Sequence, residues 1–140
     1  MREILTTFPD ALLEAPRWWV ALSGGADSVA LLYALAAYRD AASAPPLYAI
    51  HVNHGLHTAA GEWADLCQRH ADRLDVPLHI NVCNIEPSGR GVEADARRER
   101  YRAFESVLAE DDVLFTAHHA DDLVETVLLR LLRGAGPRGL

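Results

Sequence analysis

The stretch WWVALSGGADSVALLYALAAY, residues 18–38, decides the fold. Its apolar first part, residues 18–22, predicts a buried strand, and the glycines at 24 and 25 predict a tight turn. The alanine- and leucine-rich residues 26–38 predict a helix. A turn that joins a buried strand directly to a helix is typical of proteins in which parallel strands alternate with helices.

The same alternation continues on both sides of this stretch. Apolar residues at helical spacing predict a leading helix over residues 2–13, ending before Pro16. Further strands are predicted over residues 47–52, 78–85 and 113–117, and further helices over residues 62–74, 92–108 and 121–132. This order predicts an α/β fold with a doubly wound parallel sheet and helices on both faces, in one domain over residues 1–140.

The predicted topology also places a binding crevice. In such sheets ligands bind outside the carboxyl ends of the strands. The segments just after Leu22, Val52 and Ala117 are therefore expected to line one crevice.

The charge of the chain limits how it can bind phosphate. The net charge is −7, and all 13 basic residues are arginine. The absence of lysine excludes a Walker A lysine and a Schiff-base lysine, so backbone amides, arginines, hydroxyls or a metal must hold any phosphate. The acidic balance also argues against a broad nucleic-acid surface on these residues.

The N-terminal sequence, the lengths of the apolar runs and the two cysteines predict an intracellular protein. Neither a signal peptide nor an apolar run long enough to cross a bilayer is recognisable, so we expect a cytoplasmic protein without membrane contact. Cys67 and Cys83 form no CxxC pair, and we expect both to be packing residues.

The turn at residues 23–28, SGGADS, carries the strongest functional signal. Free amides at the start of a helix, together with its dipole, favour a polyphosphate. The hydroxyls of Ser23 and Ser28 can donate to phosphate oxygens, and Asp27 suits a Mg²⁺ ion that bridges the nucleotide. The alternative is a glycine turn in which Ser and Asp are ordinary N-caps.

Two further segments carry polar side chains toward the expected crevice. His51 and Asn53 share one face of a predicted strand, and Gly55 permits a turn beside a ligand, although a cluster of this kind more often serves packing and turn formation than catalysis. On the helix that follows Gly91, Arg97 and Arg100 fall on or beside the apolar face, so they meet either a phosphate or a buried carboxylate such as Glu93.

The last part of the chain adds a polar cluster and a glycine loop. Histidines at 118 and 119 and carboxylates at 121 and 122 come between a predicted strand and a predicted helix. Adjacent histidines make a poor zinc site, but a histidine here can move a proton or stabilise charge, with a carboxylate orienting it. Gly134 fits the end of the helix as a C-cap.

Four motifs together resemble one enzyme family over nearly the whole chain. They are SGGADS at 23–28, AIHVNHGLH at 49–57, GVEADARRERYRAF at 91–104 and TAHHADDLVETVLLRLLRGAGPRGL at 116–140. The first is the hallmark of ATP pyrophosphatases, and the set in this order resembles the tRNA(Ile)-lysidine synthetase family. The related thiolating enzymes use a CxxC pair for an iron–sulfur cluster, which this sequence lacks.

The resemblance implies a ligase that uses ATP and Mg²⁺. In that reaction ATP adenylates the C2 carbonyl of the wobble cytidine in the CAU anticodon of tRNA(Ile). The amine of free L-lysine then displaces AMP and gives lysidine. The family allows a homodimer of the whole protein.

The resemblance also implies roles for individual residues of this sequence. The ATP-binding residues would be Ser23, Gly24, Gly25, Ala26, Asp27, Ser28, Ile50, His51, Asn53, His54, Arg133, Gly134 and Gly136. The residues around the reacting groups would be Asp27, Arg97, Arg100, His118, His119, Asp121 and Asp122, with Asp27 as the Mg²⁺ ligand.

The family pattern continues beyond Leu140 with more catalytic domain and helical tRNA-binding domains, so residues 1–140 alone are expected to be inactive. Two alternatives stay open. One is another tRNA-modifying or amidating ATP pyrophosphatase. The other is a non-catalytic nucleotide-binding α/β module, similar to universal stress proteins or electron-transfer flavoprotein domains.

Overall fold

The computed structural model of the protein describes residues 8–55, 60–117 and 127–131. The helices are α1 (Asp10–Leu13), α2 (Ala26–Ala41), α3 (Ala60–Arg73) and α4 (Val92–Val107). The strands are β1 (Trp18–Ala21), β2 (Leu47–Asn53), β3 (Leu78–Val82), β4 (Val113–Ala117) and β5 (Val127–Leu131). Strands and helices alternate from β1 to β4, as the hydrophobic pattern predicts.

The strands form a five-stranded sheet in the order β3-β2-β1-β4-β5 within the described residues. The pairings of β1 with β2, of β2 with β3 and of β1 with β4 are all parallel. The chain proceeds from β1 to one side of the sheet and then returns to the other side at β4. The predicted parallel α/β sheet is thereby confirmed, and the change of direction between β1 and β4 is the point where such sheets bind ligands.

The prediction of a helix over residues 121–132 is wrong for its second half. Residues Val127–Leu131 form β5, which pairs antiparallel with β4, while residues 121–126 and 132 lie outside the described residues. A short apolar run cannot be assigned to helix or strand by periodicity alone. Pairing decides it here, because the backbone of the buried strand β4 needs partners on both edges. The sheet is therefore mixed at this edge.

Smaller differences concern element ends. The predicted leading helix is described only as α1, since residues 1–7 lie outside the described residues. The strand predicted over residues 78–85 ends at Val82.

Helices cover both faces of the sheet, as predicted. Along β1, Trp18 and Val20 belong to one buried cluster, together with leucines of α2 and Cys67 of α3. Trp19 belongs to a second cluster, together with Phe104 of α4. This alternation along one strand is what burial on both faces requires. No helix among the described residues is long and apolar enough to cross a bilayer.

A buried carboxylate stabilises the sheet at the end where its parallel strands begin. Asp112, which has no exposed surface, immediately precedes β4. It accepts hydrogen bonds from Nε of Arg17 at 3.1 Å, Nε1 of Trp19 at 3.0 Å and the backbone N of Ala109 at 2.9 Å. Arg17 and Trp19 thereby connect the residues before β4 to the start of β1, and the bond from Ala109 closes the turn before β4.

A second carboxylate attaches the segment before α4 to that helix. Asp95 accepts hydrogen bonds from the backbone N and the hydroxyl of Ser88, and it pairs with Arg98 at 3.2 Å. The hydrogen bond from the Ser88 hydroxyl is the main cause that lowers the pKa of Asp95 below its ordinary value of 3.8.

This depressed pKa predicts an acid-sensitive contribution to stability. Because the folded-state pKa is below the unfolded value, the contribution is fully present above that unfolded value and is lost as the pH falls through the folded pKa. An Asp95→Asn variant should therefore be less stable than the wild type at neutral pH. The difference in unfolding free energy, measured by urea titration, should shrink as the pH falls below 3.8. A difference independent of pH would contradict the role given to the charge.

Candidate functional site

A cavity of about 350 Å³ opens at the carboxyl ends of the parallel strands. Its floor comes from the ends of β1, β2 and β4 and the residues that follow β1 and β2, and one wall comes from α4. Ser23 after Leu22 and residues 53–55 after Val52 line it, as expected, whereas the segment after Ala117 lies outside the described residues. It lies at the crossover between β1 and β4, the position at which sheets of this type bind ligands.

The segment of residues 23–28 connects β1 to α2 and includes the first residues of that helix, but residues 24–28 are not among those that line the cavity. Ser23 lines the cavity. The hydroxyl of Ser28, which is 3% exposed, accepts a hydrogen bond from the backbone N of Ser23 at 3.1 Å and donates to the carbonyl of Gly25 at 3.0 Å. The buried hydroxyl thus holds the turn together, and a direct bond from it to phosphate stays a prediction.

The start of α2 carries no side-chain cap. Gly25 is the N-cap residue; its own amide donates to Oγ of Ser23 at 3.2 Å, and no side chain among the described residues caps the first turn of the helix. The alternative in which Ser and Asp act as ordinary N-caps is therefore not what the structure shows. Uncapped amides together with the positive end of the helix dipole form an anion-binding position.

Both the backbone conformation and a nearby side chain favour glycine at position 24. Its φ of +94° is rarely adopted by other residues, and a Cβ would lie 3.5 Å from Sγ of Cys67. We expect Gly24→Ala to lower the unfolding free energy by about 1–3 kcal/mol, because alanine is strained at this φ. Gly61→Ala, in α3 with open space around its Cβ position, should instead stabilise the protein by roughly 0.5–1 kcal/mol. Chemical denaturation of both variants checks this, and equal effects would contradict it.

Asp27 lies exposed in the first turn of α2. It forms no ion pair within the part of the chain that the structure describes, so its carboxylate is available to a cation. No cluster of three or more potential metal ligands occurs among the described residues. A Mg²⁺ ion held by one carboxylate, nucleotide phosphates and water needs no such cluster, and the donor at Asp27 fits it.

Two arginines of α4 line the cavity wall without a carboxylate partner in the described ranges. Arg97 stacks on Tyr101, with its guanidinium carbon 5.5 Å from the ring centre, and Arg100 lies close enough for the charge of Arg97 to matter. Partial burial is the main cause that lowers the pKa of Arg100, and Arg97 lowers it further. The alternative partner Glu93 is exposed and forms no ion pair with either arginine.

The other two arginines of this helix point away, as the helical spacing predicts. Arg98 pairs with Asp95, and Arg102 pairs with Glu99 at 3.0 Å. Among the described residues the two outer arginines are thus paired and Arg97 and Arg100 are not, so the cavity wall carries two positive charges that can attract an anion.

The segment from Ile50 to His54 forms part of the floor. Nδ1 of His51 donates to the carbonyl of Leu22 at 2.8 Å, and the thiol of Cys67 lies 3.5 Å from the same ring nitrogen. Burial raises the pKa of the Cys67 thiol to about 11, so it stays protonated at neutral pH. The side-chain oxygen of Asn53 accepts from the backbone N of Gly55 at 2.9 Å and closes the turn that Gly55 permits with a φ of +66°.

Several predicted site residues lie outside the described residues. They are His118, His119, Asp121, Asp122, Arg133, Gly134 and Gly136. Their roles stay predictions.

The structure adds aromatic residues that sequence reasoning did not assign to the site. Trp63, in the first part of α3 and 46% exposed, lines the cavity, and so do Tyr101 and Phe104 of α4. The helical spacing places Tyr101 and Phe104 on an inward face but cannot show that this face borders a cavity. The available sequence signal for Trp63 was a large aromatic residue between the charged residues Glu62 and Asp65 near the start of a predicted helix.

Comparison with known proteins gives consistent matches. A family model described as a PP-loop domain matches residues 1–140. The tRNA(Ile)-lysidine synthase of Pseudomonas putida is 51% identical over 128 residues, which is 91% of this chain and 30% of that protein. The enzyme of the same name from Alkalilimnicola ehrlichii is 49% identical over 127 residues, which is 90% of this chain and 28% of that protein. This chain therefore spans roughly 30% of the length of these relatives.

One solved structure shows the same fold. The U34-tRNA thiolase NcsA from Methanococcus maripaludis, solved with its [4Fe-4S] cluster, superimposes with a TM-score of 0.67 at 20% identity. The match covers 86% of this chain and 43% of the thiolase. At this identity the likeness supports the α/β architecture.

Proposed function

Because this chain belongs to the PP-loop domain family, we propose that it is the ATP-binding part of a ligase that attaches lysine to tRNA(Ile). The observation that carries the proposal is one cavity lined by Ser23, just before the start of α2, and by Arg97 and Arg100, which have no carboxylate partner among the described residues. The names of relatives that are about half identical to it support the choice of tRNA(Ile) and lysidine synthesis.

We assign the parts of ATP to different residues at and beside the cavity. The amides and Ser23 at the start of α2 bind the phosphates, with the buried Ser28 hydroxyl holding the turn in shape. Residues Ile50, His51, Asn53 and His54 border the adenosine. Asp27 holds Mg²⁺, which supplies charge neutralisation for the departing pyrophosphate.

Arg97 and Arg100 bind negative charge at the reacting phosphate. Both guanidinium groups line the cavity wall, and Arg100 is partly desolvated there, which strengthens its interaction with an anion. In the proposed reaction the C2 carbonyl oxygen of the wobble cytidine in the CAU anticodon attacks the α-phosphate of ATP, and pyrophosphate leaves. The amine of lysine then attacks C2, the C–O bond to AMP breaks, and the nitrogen loses its protons to give lysidine.

The proposal gives His118, His119, Asp121 and Asp122 a place near the lysine and the adenylate, and gives Arg133, Gly134 and Gly136 a place near the nucleotide. A homodimer of the whole protein also stays a prediction.

The test is an incorporation assay with the complete protein that contains this chain. The protein is incubated with ATP, Mg²⁺, labelled lysine and tRNA that carries a CAU anticodon, and the label retained in the RNA is counted. ATP-dependent incorporation with release of AMP is expected. A tRNA with an unmodifiable anticodon such as GAU serves as the control and should retain no label.

Three other outcomes would replace the proposal. AMP formation without lysine in the RNA would indicate a related synthetase with another nucleophile, and labelled sulfur in the tRNA would identify a thiolating enzyme. Binding of ATP without any AMP would indicate a nucleotide-binding module.

A further inference from the structure

Two histidines line the cavity. Nδ1 of one contacts a hydrogen-bond acceptor, and Nδ1 of the other contacts a thiol that can donate. His51, which is 4% exposed, has Nδ1 at 2.8 Å from the carbonyl oxygen of Leu22. His54 has Nδ1 at 3.2 Å from Sγ of Cys83. In a neutral imidazole one ring nitrogen donates and the other accepts, so the partner of Nδ1 determines what Nε2 can offer a ligand.

The partner of His51 fixes its tautomer. A carbonyl oxygen can only accept, so Nδ1 carries the hydrogen and Nε2 of the neutral ring is an acceptor. The protonated thiol of Cys67 lies 3.7 Å from the same carbonyl and donates to it as well. Within the described residues Nε2 of His51 has no hydrogen-bond partner, although the side chain is buried at the cavity.

The contact between His54 and Cys83 is held by the backbone. The backbone N of Cys83 donates to the carbonyl of Asn53 at 2.9 Å, which extends the pairing of β2 and β3 by one residue. This extension sets Cys83 beside His54, the residue that follows Asn53. The hydrogen bond from the backbone N of Gly55 to the side-chain oxygen of Asn53 also fixes the backbone at His54, which lies between these two residues.

The thiol is the donor in this contact. Burial raises the pKa of Cys83, so the thiol is protonated at neutral pH, and an imidazole nitrogen accepts a hydrogen bond better than sulfur does. Burial is the main cause that lowers the pKa of His54. The nearby charges of Arg100 from α4 and His51 from β2 also lower this pKa, whereas Glu99 from α4 raises it. His54 is therefore neutral near pH 7, with its hydrogen on Nε2.

We propose that Leu22 and Cys83 hold the two histidines in opposite tautomers, so that the cavity offers a nucleotide an acceptor at Nε2 of His51 and a donor at Nε2 of His54. This inference rests on the proposed ATP site. A buried acceptor suits the exocyclic amino group of adenine, whereas guanine carries the acceptor O6 in the corresponding place. Cys83 is then a positioning residue, and the pair of rings determines specificity for adenine.

The first test reads the tautomers directly and does not depend on activity. The protein is labelled with ¹⁵N at histidine, and the two-bond ¹⁵N–¹H correlations are assigned with His51→Asn and His54→Asn variants. We expect the Nδ1–H form for His51 and the Nε2–H form for His54. Finding both rings in the same tautomer would overturn the proposal.

The second test separates positioning from packing. Cys83→Val keeps the size of the side chain but removes the donor, whereas Cys83→Ser keeps a donor. In Cys83→Val the Nε2–H form of His54 should lose population, its pKa should rise, and the Kd for ATP should increase about fivefold, the effect of one hydrogen bond. Cys83→Ser should restore all three values. A Kd in Cys83→Val equal to that of the wild type would overturn the role of Cys83.

The third measurement separates this inference from the proposed function. The wild type should bind ATP at least about tenfold more tightly than GTP. Equal binding of the two nucleotides, with the expected tautomers, would overturn the specificity while leaving the ATP site in place. Binding of neither nucleotide would overturn the proposed function and the ligand part of this inference, while the NMR result would still decide the tautomers.

Discussion

An Asp27→Asn variant is expected to lose at least about 100-fold in the rate of AMP formation at saturating ATP and Mg²⁺, because metal stabilisation of transition-state charge contributes several kcal/mol. The carboxylate lies in the first turn of α2, next to the amides that are proposed to bind phosphate. Asparagine keeps the shape and one oxygen of aspartate but removes the charge that holds a divalent cation. The measurement is AMP release by the complete protein, with the midpoint of the Mg²⁺ titration as a second readout.

The same helix provides a control. Asp40 lies near the other end of α2, is 66% exposed at its side chain and pairs with Arg39. Asp40→Asn should form AMP at the wild-type rate, and both variants should unfold at nearly the wild-type urea concentration, because both carboxylates are exposed. Retention of more than about a tenth of the wild-type rate by Asp27→Asn would remove Asp27 from the metal site.

Asp112→Ala is expected to lower the free energy of unfolding by about 3–5 kcal/mol, the largest stability effect that we predict. The variant leaves three donors without their acceptor, namely those of Arg17, Trp19 and Ala109. Arg17 can turn to water, since its side chain is 41% exposed, but the indole of Trp19 is buried and cannot. A urea titration followed by tryptophan fluorescence and far-ultraviolet circular dichroism measures the change.

Asp40→Ala is the matched control for this variant as well. It removes an aspartate that also accepts from an arginine Nε, at 2.9 Å, but at the surface. The change in unfolding free energy should stay below about 0.5 kcal/mol. If Asp112→Ala lowered the unfolding free energy by no more than Asp40→Ala, the buried hydrogen bonds at the start of β1 and β4 would not stabilise the sheet as we infer.

Sequence reasoning identified the elements that local pattern determines. The strand, turn and helix over residues 18–38 depend on an apolar run, two glycines and a helix-forming segment, all adjacent in the chain. The inward direction of Arg97 and Arg100 followed from helical spacing on α4. The same reasoning failed at Val127–Leu131, because a short apolar run becomes a strand when an adjacent edge offers backbone partners.

The sequence by itself determined the α/β alternation, the crevice at the strand ends and the anion-binding turn, because periodicity and turn chemistry act over a few neighbouring residues. Only the tertiary structure decided which distant side chains meet. Asp112 resembles a solvated loop residue until it contacts Trp19, 93 positions away, and Cys83 has no role until strand pairing places it beside His54, 29 positions away. Burial converts these contacts into strong ones, because a polar group removed from water must find its partner within the protein, wherever along the chain that partner lies.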